Sequence, residues 1–242
     1  MPHRRQGDGD AYVLNGAKTF ISNSSAASLM TVFATLNTTQ KHRGICAFAV
    51  PTDTPGLQPG RKLDKMGQRC ADTSEVFFED LRIPRSSLLG EEGEGFKVAM
   101  KTLDRTRPLI AIQAVGLARA AMEAATSYAK KRQQFGVPIA KHQAIQFMLA
   151  DMTTDIEAAR LLAWQAAWMA DNDIPQTRGS SIAKLFDTDM CMRVTTDAVQ
   201  VFGDHSYMME FPVEKFMRDA KLLQIYEGTN QIGCRSHTEA TN

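Results

Sequence analysis

The sequence has few cysteines: Cys46, Cys70, Cys191 and Cys234 lie far apart and form no C-x-x-C pair, which excludes a cysteine zinc site and a redox dithiol. They read as reduced thiols of a reducing compartment. None of the five histidines has a histidine partner at i, i+4 spacing, and no G-x-S-x-G elbow, phosphate-binding loop or strand-following G-x-G-x-x-G occurs. Hydrolase, nucleotidase and nicotinamide chemistries therefore have no motif to rest on. Charge of one sign is also missing, since 28 Lys and Arg stand against 27 Asp and Glu, leaving no basic field for nucleic acid or an anionic membrane. No run approaches the roughly 18 apolar residues of a membrane helix. Met1 to Asp10 is too short and too acidic for a signal or transit peptide. A small, locally recognised ligand fits these absences better than a polymer or a bilayer.

What is present has the balance of a folded protein, with 43% apolar and 23% charged residues. Its 242 residues suffice for one large domain or two modest ones. Up to about Pro84 the pattern is that of strands. Ala11 to Leu14 and Lys18 to Ser22 flank Asn15-Gly16, a dipeptide that favours a hairpin because both turn positions need positive φ. Further extended runs are expected over Leu29 to Leu36, Gly44 to Val50 and Ser74 to Phe78, separated by Asn37-Thr38-Thr39 and by Pro51 to Gly60. Close-spaced strands with polar turns predict a small antiparallel sandwich or barrel.

After Gly95 the spacing becomes helical. Phe96, Ala99, Met100 and Leu103 form one stripe; Ile110, Ala114, Leu117, Ala121, Ala124 and Tyr128 form another. Pro108 lies between them, so a break is expected at Asp104 to Thr106, with Pro108 in the first turn of a new helix ending near Phe135-Gly136. Further helices are expected over about Lys141 to Asp171, Ser180 to Phe202 ending at Gly203, and Pro212 to Tyr226. Long helices with short connections pack as an up-and-down bundle. The fold class expected is α+β multi-domain: a partial β domain over 1–90 and a helical bundle over 91–242, joined near Leu89 to Gly95.

One segment bears on chemistry. Met217-Arg218-Asp219-Ala220-Lys221 leads through Gln224 to Tyr226-Glu227-Gly228-Thr229. On its own this reads equally as a helix with a glycine cap and a solvated glutamate, although a carboxylate at a helix C-terminus meets the negative end of the dipole. Together with Tyr12 to Gly16, Met66-Gly67-Gln68-Arg69, Thr106-Arg107-Pro108, Arg132 to Gly136, His142 to Ile145 and Asp197 to Gly203, the segment resembles the acyl-CoA dehydrogenase family, most closely its medium-chain kind. Eight collinear segments carry the resemblance, from Asp8 to Ile232.

That resemblance implies FAD-dependent α,β-dehydrogenation of an acyl-CoA thioester. Glu227 matches the base that removes the α-proton, while a hydride passes from the β-carbon to flavin. The thioester carbonyl is polarised by the glutamate's own backbone N–H and by a flavin ribityl hydroxyl. Thr106 occupies the alternative base position of branched-chain relatives and cannot take the proton. Phe20, Ile21 and Ser22 stand where the family usually has Trp-Ile-Thr against the flavin. Arg132, Phe135, His142 and Gln143 match flavin-nucleotide contacts, as do Gln200, Val201, Phe202 and Gly203, and Thr229, Asn230 and Gln231 after the base. Asp104, Arg107, Tyr226 and Gly228 match substrate contacts.

Several of these residues also have plain readings: Arg132 as a helix-end cation, Phe20 and Phe135 as core, His142 and Gln143 as solvated, and Asp104 with Arg107 as a surface ion pair worth under about 1 kcal/mol. The partners implied are acyl-CoA, an electron-transfer flavoprotein and further copies of the chain in a homodimer or homotetramer. The compartment implied is the mitochondrial matrix or bacterial cytoplasm. Departures are Asp204, where the family has a second glycine, a polar tail from Gly233 to Asn242, and the lack of the family's N-terminal helical domain and Thr-Glu-Pro-type loop. A non-catalytic assembly product therefore stands as the alternative.

Overall fold

The computed structural model of the protein describes residues 10–239, with side chains described to Cys234. Apart from Asp10, the reading of Met1 to Asp10 lies outside the described residues. The chain divides into two compact units, one of residues 1–65 and 69–102, the other of residues 66–68 and 103–242.

The first unit is antiparallel β-structure. Strands β1 (Ala11–Ser22), β5 (Thr73–Pro84) and β4 (Leu57–Pro59) form one sheet in the order β1-β5-β4; β2 (Leu29–Thr35), β3 (Ile45–Pro51) and β6 (Leu88–Leu89) form another in the order β2-β3-β6. Alternate residues Tyr12, Leu14, Val32, Phe48, Val76 and Phe78 point into one shared core, as the two-residue period of a strand requires. The expected hairpin at Asn15-Gly16 is absent, because β1 runs unbroken along β5. The pairing instead steps from Leu14↔Leu81 to Gly16↔Phe78, a bulge with the extra residue on β5. Asp80 there has φ 46°. The Asn15 side chain locks it, donating to Asp80 Oδ1 at 2.9 Å and accepting from the Asp80 amide at 2.7 Å. A second bulge lies on β1 itself, between Lys18↔Val76 and Ile21↔Ser74, and contains Phe20 at φ 60°.

The helices are α1 (Gly95–Lys131), α2 (Gln143–Asp171), α3 (Thr177–Phe202), α4 (Pro212–Leu223) and α5 (Asn230–Glu239). The break expected at Asp104 to Thr106 does not occur, and α1 runs straight through Pro108. Proline removes the N–H that the Asp104 carbonyl would accept, but the buried Ser180 hydroxyl donates to that carbonyl at 2.8 Å. A side chain from α3 thus replaces the missing backbone donor. By length and composition α1 is also apolar enough to cross a membrane, contrary to expectation. Within it Ala111, Ala114, Ala118, Ala121, Ala125 and Ala129 are packed in the protein core, whereas Leu109 and Ile112 are exposed.

Phe135-Gly136 is not the cap of α1 either. The helix stops at Lys131, and the pair, at φ 53° and 79°, turns a small hairpin between β7 (Gln133–Gln134) and β8 (Val137–Pro138). α4 ends three residues before Tyr226, and the polar tail nonetheless enters α5. The core of the second unit joins Ala118, Met152, Ile156, Met190, Val194 and Leu223 from four helices. One ionisable group on α3 has no counterpart there. Asp187 is 0% exposed with neither carboxylate oxygen hydrogen-bonded among the described residues, and burial pushes its carboxyl up to about 8.

Candidate active site

The segment 66–68 and α4 form the foundation. Gly67 lies so close to α4 that a Cβ there would be 2.4 Å from the Arg218 carbonyl oxygen. Arg218 donates to the Met66 carbonyl at 2.6 Å while forking onto Glu214 at 2.6 and 2.9 Å. Asp219 accepts from the Gln68 amide and from Lys215. The Met217 to Lys221 segment therefore anchors the end of α4, which leads into the loop.

In that loop Glu227 and Gly228 are both left-handed, at φ 58° and 87°. Glycine accepts this without steric penalty, whereas a glutamate so held costs about 1–3 kcal/mol. The turn closes where the Asn230 backbone N–H donates to the Gln224 carbonyl at 3.1 Å. The Glu227 carboxylate is half-buried and accepts from the Thr106 hydroxyl at 2.6 Å. Its other oxygen, and the amide N–H of Glu227, have no hydrogen-bond partner among the described residues.

Two cations lie beneath the loop backbone. Arg107, 5% exposed, donates to the Glu227 carbonyl at 3.3 Å and to Ser181 Oγ at 3.1 Å. Lys184, 1% exposed, donates to the Gly228 carbonyl at 2.7 Å and to Asn230 Oδ1 at 2.8 Å. The Asn230 amide donates in turn to Thr188 Oγ1 at 3.0 Å and Asp189 Oδ1 at 2.7 Å. Tyr226 donates to Gln113 at 2.8 Å, and burial, then the Glu227 carboxylate, raises its phenol. Such an arrangement presents one basic oxygen and one N–H donor on a turn whose carbonyls are held from below.

Asp104 accepts from Thr177 at 2.6 Å; no ion pair joins it to Arg107, which the loop takes up instead. Gly228 leaves its Cβ position 3.3 Å from the Arg107 guanidinium. Thr229 is half-buried, Asn230 buried and Gln231 exposed. Phe135 is 92% exposed on its hairpin, edge-on to His142 at 5.8 Å, and the His142 ring lies 3.3 Å from the Gln134 carbonyl. Arg132 and Gln143 are exposed beside it. Gln200 and Gly203 are exposed at the end of α3, whereas Val201 and Phe202 are buried, Phe202 stacked on Tyr128 at 4.2 Å. Asp204 is exposed in the short turn that follows.

In the first unit, Phe20 is 75% exposed on its bulge. Ile21 and Ser22 line a cavity of about 360 Å³ with Lys18, Val76 and Phe78.

Thr106 as a donor to the carboxylate, and Ser181 and Lys184 as supports, were missed by sequence reasoning. A signal existed: Ser180, Lys184 and Asp187 interrupt the stripe of α3 that also holds Ala183, Cys191 and Val194.

Residues 93–241 match the family model of the acyl-CoA dehydrogenase C-terminal domain, and residues 2–81 that of the acyl-CoA dehydrogenase middle domain. Among curated proteins, the mitochondrial short-chain specific acyl-CoA dehydrogenase of Rattus norvegicus is 48% identical over 225 residues, 93% of this chain and 55% of the relative. A probable acyl-CoA dehydrogenase of Mycobacterium tuberculosis is 49% identical over 233 residues, covering 96% of this chain and 60% of its own. The chain thus spans little more than half the length of these relatives. Butyryl-CoA dehydrogenase from Megasphaera elsdenii superposes with a TM-score of 0.96 at 46% identity, over 99% of this chain and 62% of that one. A chain in the structure of the electron transferring flavoprotein of Acidaminococcus fermentans gives 0.97 at 46% identity, over 100% and 63%.

Proposed function

The chain belongs to the acyl-CoA dehydrogenase family, and on that footing we propose that it serves FAD-dependent α,β-dehydrogenation of a short straight-chain acyl-CoA, with Glu227 as the base. The observation carrying this reading is the Glu227 carboxylate, fixed by Thr106 through one oxygen and unpartnered at the other, beside its own unpartnered N–H. The unpartnered oxygen takes the α-proton as the Cα–H bond breaks and the Cα–Cβ double bond forms. The Glu227 N–H donates to the thioester oxygen, where negative charge develops.

In the first unit the exposed ring of Phe20 and the hydroxyl of Ser22 suit contact with a planar group; in the second, taken by itself, the exposed ring of Phe135 and the open Gly203, where a Cβ would meet nothing within 4 Å, suit a polar-tailed one. FAD, when bound, supplies the acceptor for the β-hydride. Arg132, His142, Gln143, Gln200, Thr229 and Gln231 complete the proposed cofactor contacts, and Asp104 and Tyr226 those to substrate. Residues 1–90 serve as part of the middle domain and 91–242 as the helical domain. The electron acceptor is an electron-transfer flavoprotein, the assembly a homodimer or homotetramer, and the setting a mitochondrial matrix or bacterial cytoplasm.

The test is anaerobic reduction of FAD-loaded protein by butyryl-CoA. Glu227→Gln is expected to bind FAD as the parent does and to leave the flavin oxidised. Bleaching of the variant at the parental rate removes Glu227 from the reaction, and a parent that binds FAD but never bleaches favours the non-catalytic alternative.

A further inference from the structure

We propose that Lys184 is a positioning residue for this reaction: from beneath the loop it grips the Gly228 carbonyl and the Asn230 side chain, fixing the left-handed turn that aims the Glu227 carboxylate and N–H. The inference rests on the reading of Glu227 as the base.

A lysine ammonium taken fully out of water carries a large desolvation penalty, which is offset only where strong hydrogen bonds replace hydration. No carboxylate oxygen lies within ion-pair distance of Lys184 among the described residues, and its partners are two neutral oxygens, at 2.7 and 2.8 Å. A Met side chain would fill similar space without that penalty, so the lysine's distinguishing contribution is what it holds.

What it holds is a turn that local preference disfavours. With Glu227 and Gly228 both at positive φ, the Gly228 carbonyl faces the protein where no backbone N–H meets it among the described residues. Lys184 supplies the donor. Arg107 does the same, less closely, for the preceding carbonyl. Asn230 is not free to turn away, because its amide is committed to Thr188 and Asp189, which leaves its oxygen toward the ammonium.

The charged groups facing Lys184 are Arg107 from α1, Asp189 from α3 itself and Glu227 from the loop. Burial, then Arg107, lowers the amine to about 8, while Asp189 and Glu227 oppose that shift. A hydrogen bond from an ammonium is about twice as strong as one from a neutral donor, so a neutral donor in its place grips the turn less firmly.

Hydrogen–deuterium exchange on the 242-residue chain tests the inference. In Lys184→Met the segment 226–230 is expected to exchange about tenfold faster, with segments in mid-α1 and mid-α2 unchanged. In Lys184→Gln, which offers a neutral donor on a shorter side chain, part of that protection is expected to be recovered, with the control segments again unchanged. Unchanged protection of 226–230 in Lys184→Met, or faster exchange everywhere, overturns the proposal; should that variant not fold, parental protection of 226–230 in Lys184→Gln does so. If the parent's flavin is not bleached by acyl-CoA, the dehydrogenase reading fails, whereas the exchange result still decides whether Lys184 holds the turn.

Discussion

The Ser180 hydroxyl occupies the place of the N–H that Pro108 lacks, donating to the Asp104 carbonyl at 2.8 Å. Ser180→Ala leaves a carbonyl without its donor and is expected to destabilise the protein by about 1–3 kcal/mol. Pro108→Ala restores the backbone donor, so the double variant is expected to lose less than Ser180→Ala alone. Denaturant titration of the four proteins of this cycle measures the coupling, and strict additivity would sink the explanation for the unbroken helix.

Gly67→Ala is expected to be among the more damaging small substitutions. A methyl there meets backbone, at 2.4 Å from the Arg218 carbonyl oxygen, and neither segment can yield without losing the Arg218–Met66 bond. A loss of about 2 kcal/mol or more is expected in chemical denaturation, from the range for overpacking. A change under 0.5 kcal/mol would mean the two segments separate freely.

Asp187 makes stability depend on pH. Its unfolded carboxyl releases a proton near 3.8 and its folded one near 8, so folding takes up a proton between these values and stability falls as pH rises. Burial raises Asp197 as well, so the parent's slope has more than one source. Asp187→Asn imitates the protonated acid. Its advantage over the parent is expected to grow from near zero at pH 4 toward several kcal/mol, on the order of 1.4 per pH unit, by pH 8. An advantage independent of pH would show that Asp187 is hydrated or paired in solution.

Phe135 at 92% exposure is an apolar ring whose one aromatic contact among the described residues is the edge-on one to His142. The chain is expected to be a dimer or larger at micromolar concentration, and Phe135→Ser to shift it toward monomer. Light scattering that finds the parent monomeric throughout this range contradicts the expectation that a second copy covers this ring.

Sequence patterns located most elements because their cause is local. The stripe Met152, Ile156, Ala159 and Ala163 marks α2, and Gly203 stops α3 near where its left-handed φ ends the helix. Two of the errors share a different cause, a partner distant in sequence. Asn15-Gly16 has hairpin chemistry, but β5 offers a continuous pairing edge, so the chain bulges instead of turning. Pro108 breaks a helix only if the carbonyl it orphans stays unpaired, and the donor lies 76 residues away. At the site, the motif words pointed to Glu227, but Thr106 is 121 residues from it, and no pattern around either residue states their 2.6 Å contact.

The left-handed backbone at Glu227 also bears on how the sequence drifts. Glycine at 227 would relieve most of the backbone penalty, roughly 1 kcal/mol. Mutation screened only for folding would then exchange the glutamate for glycine or another residue that tolerates this conformation. A chain retired from chemistry is thus under steady pressure to lose residue 227 early, well before it loses the alanines of α1 that hold the bundle together. Glutamate still stands at that position. On the reading of Glu227 as the base, that residue is held against the drift that folding alone would favour.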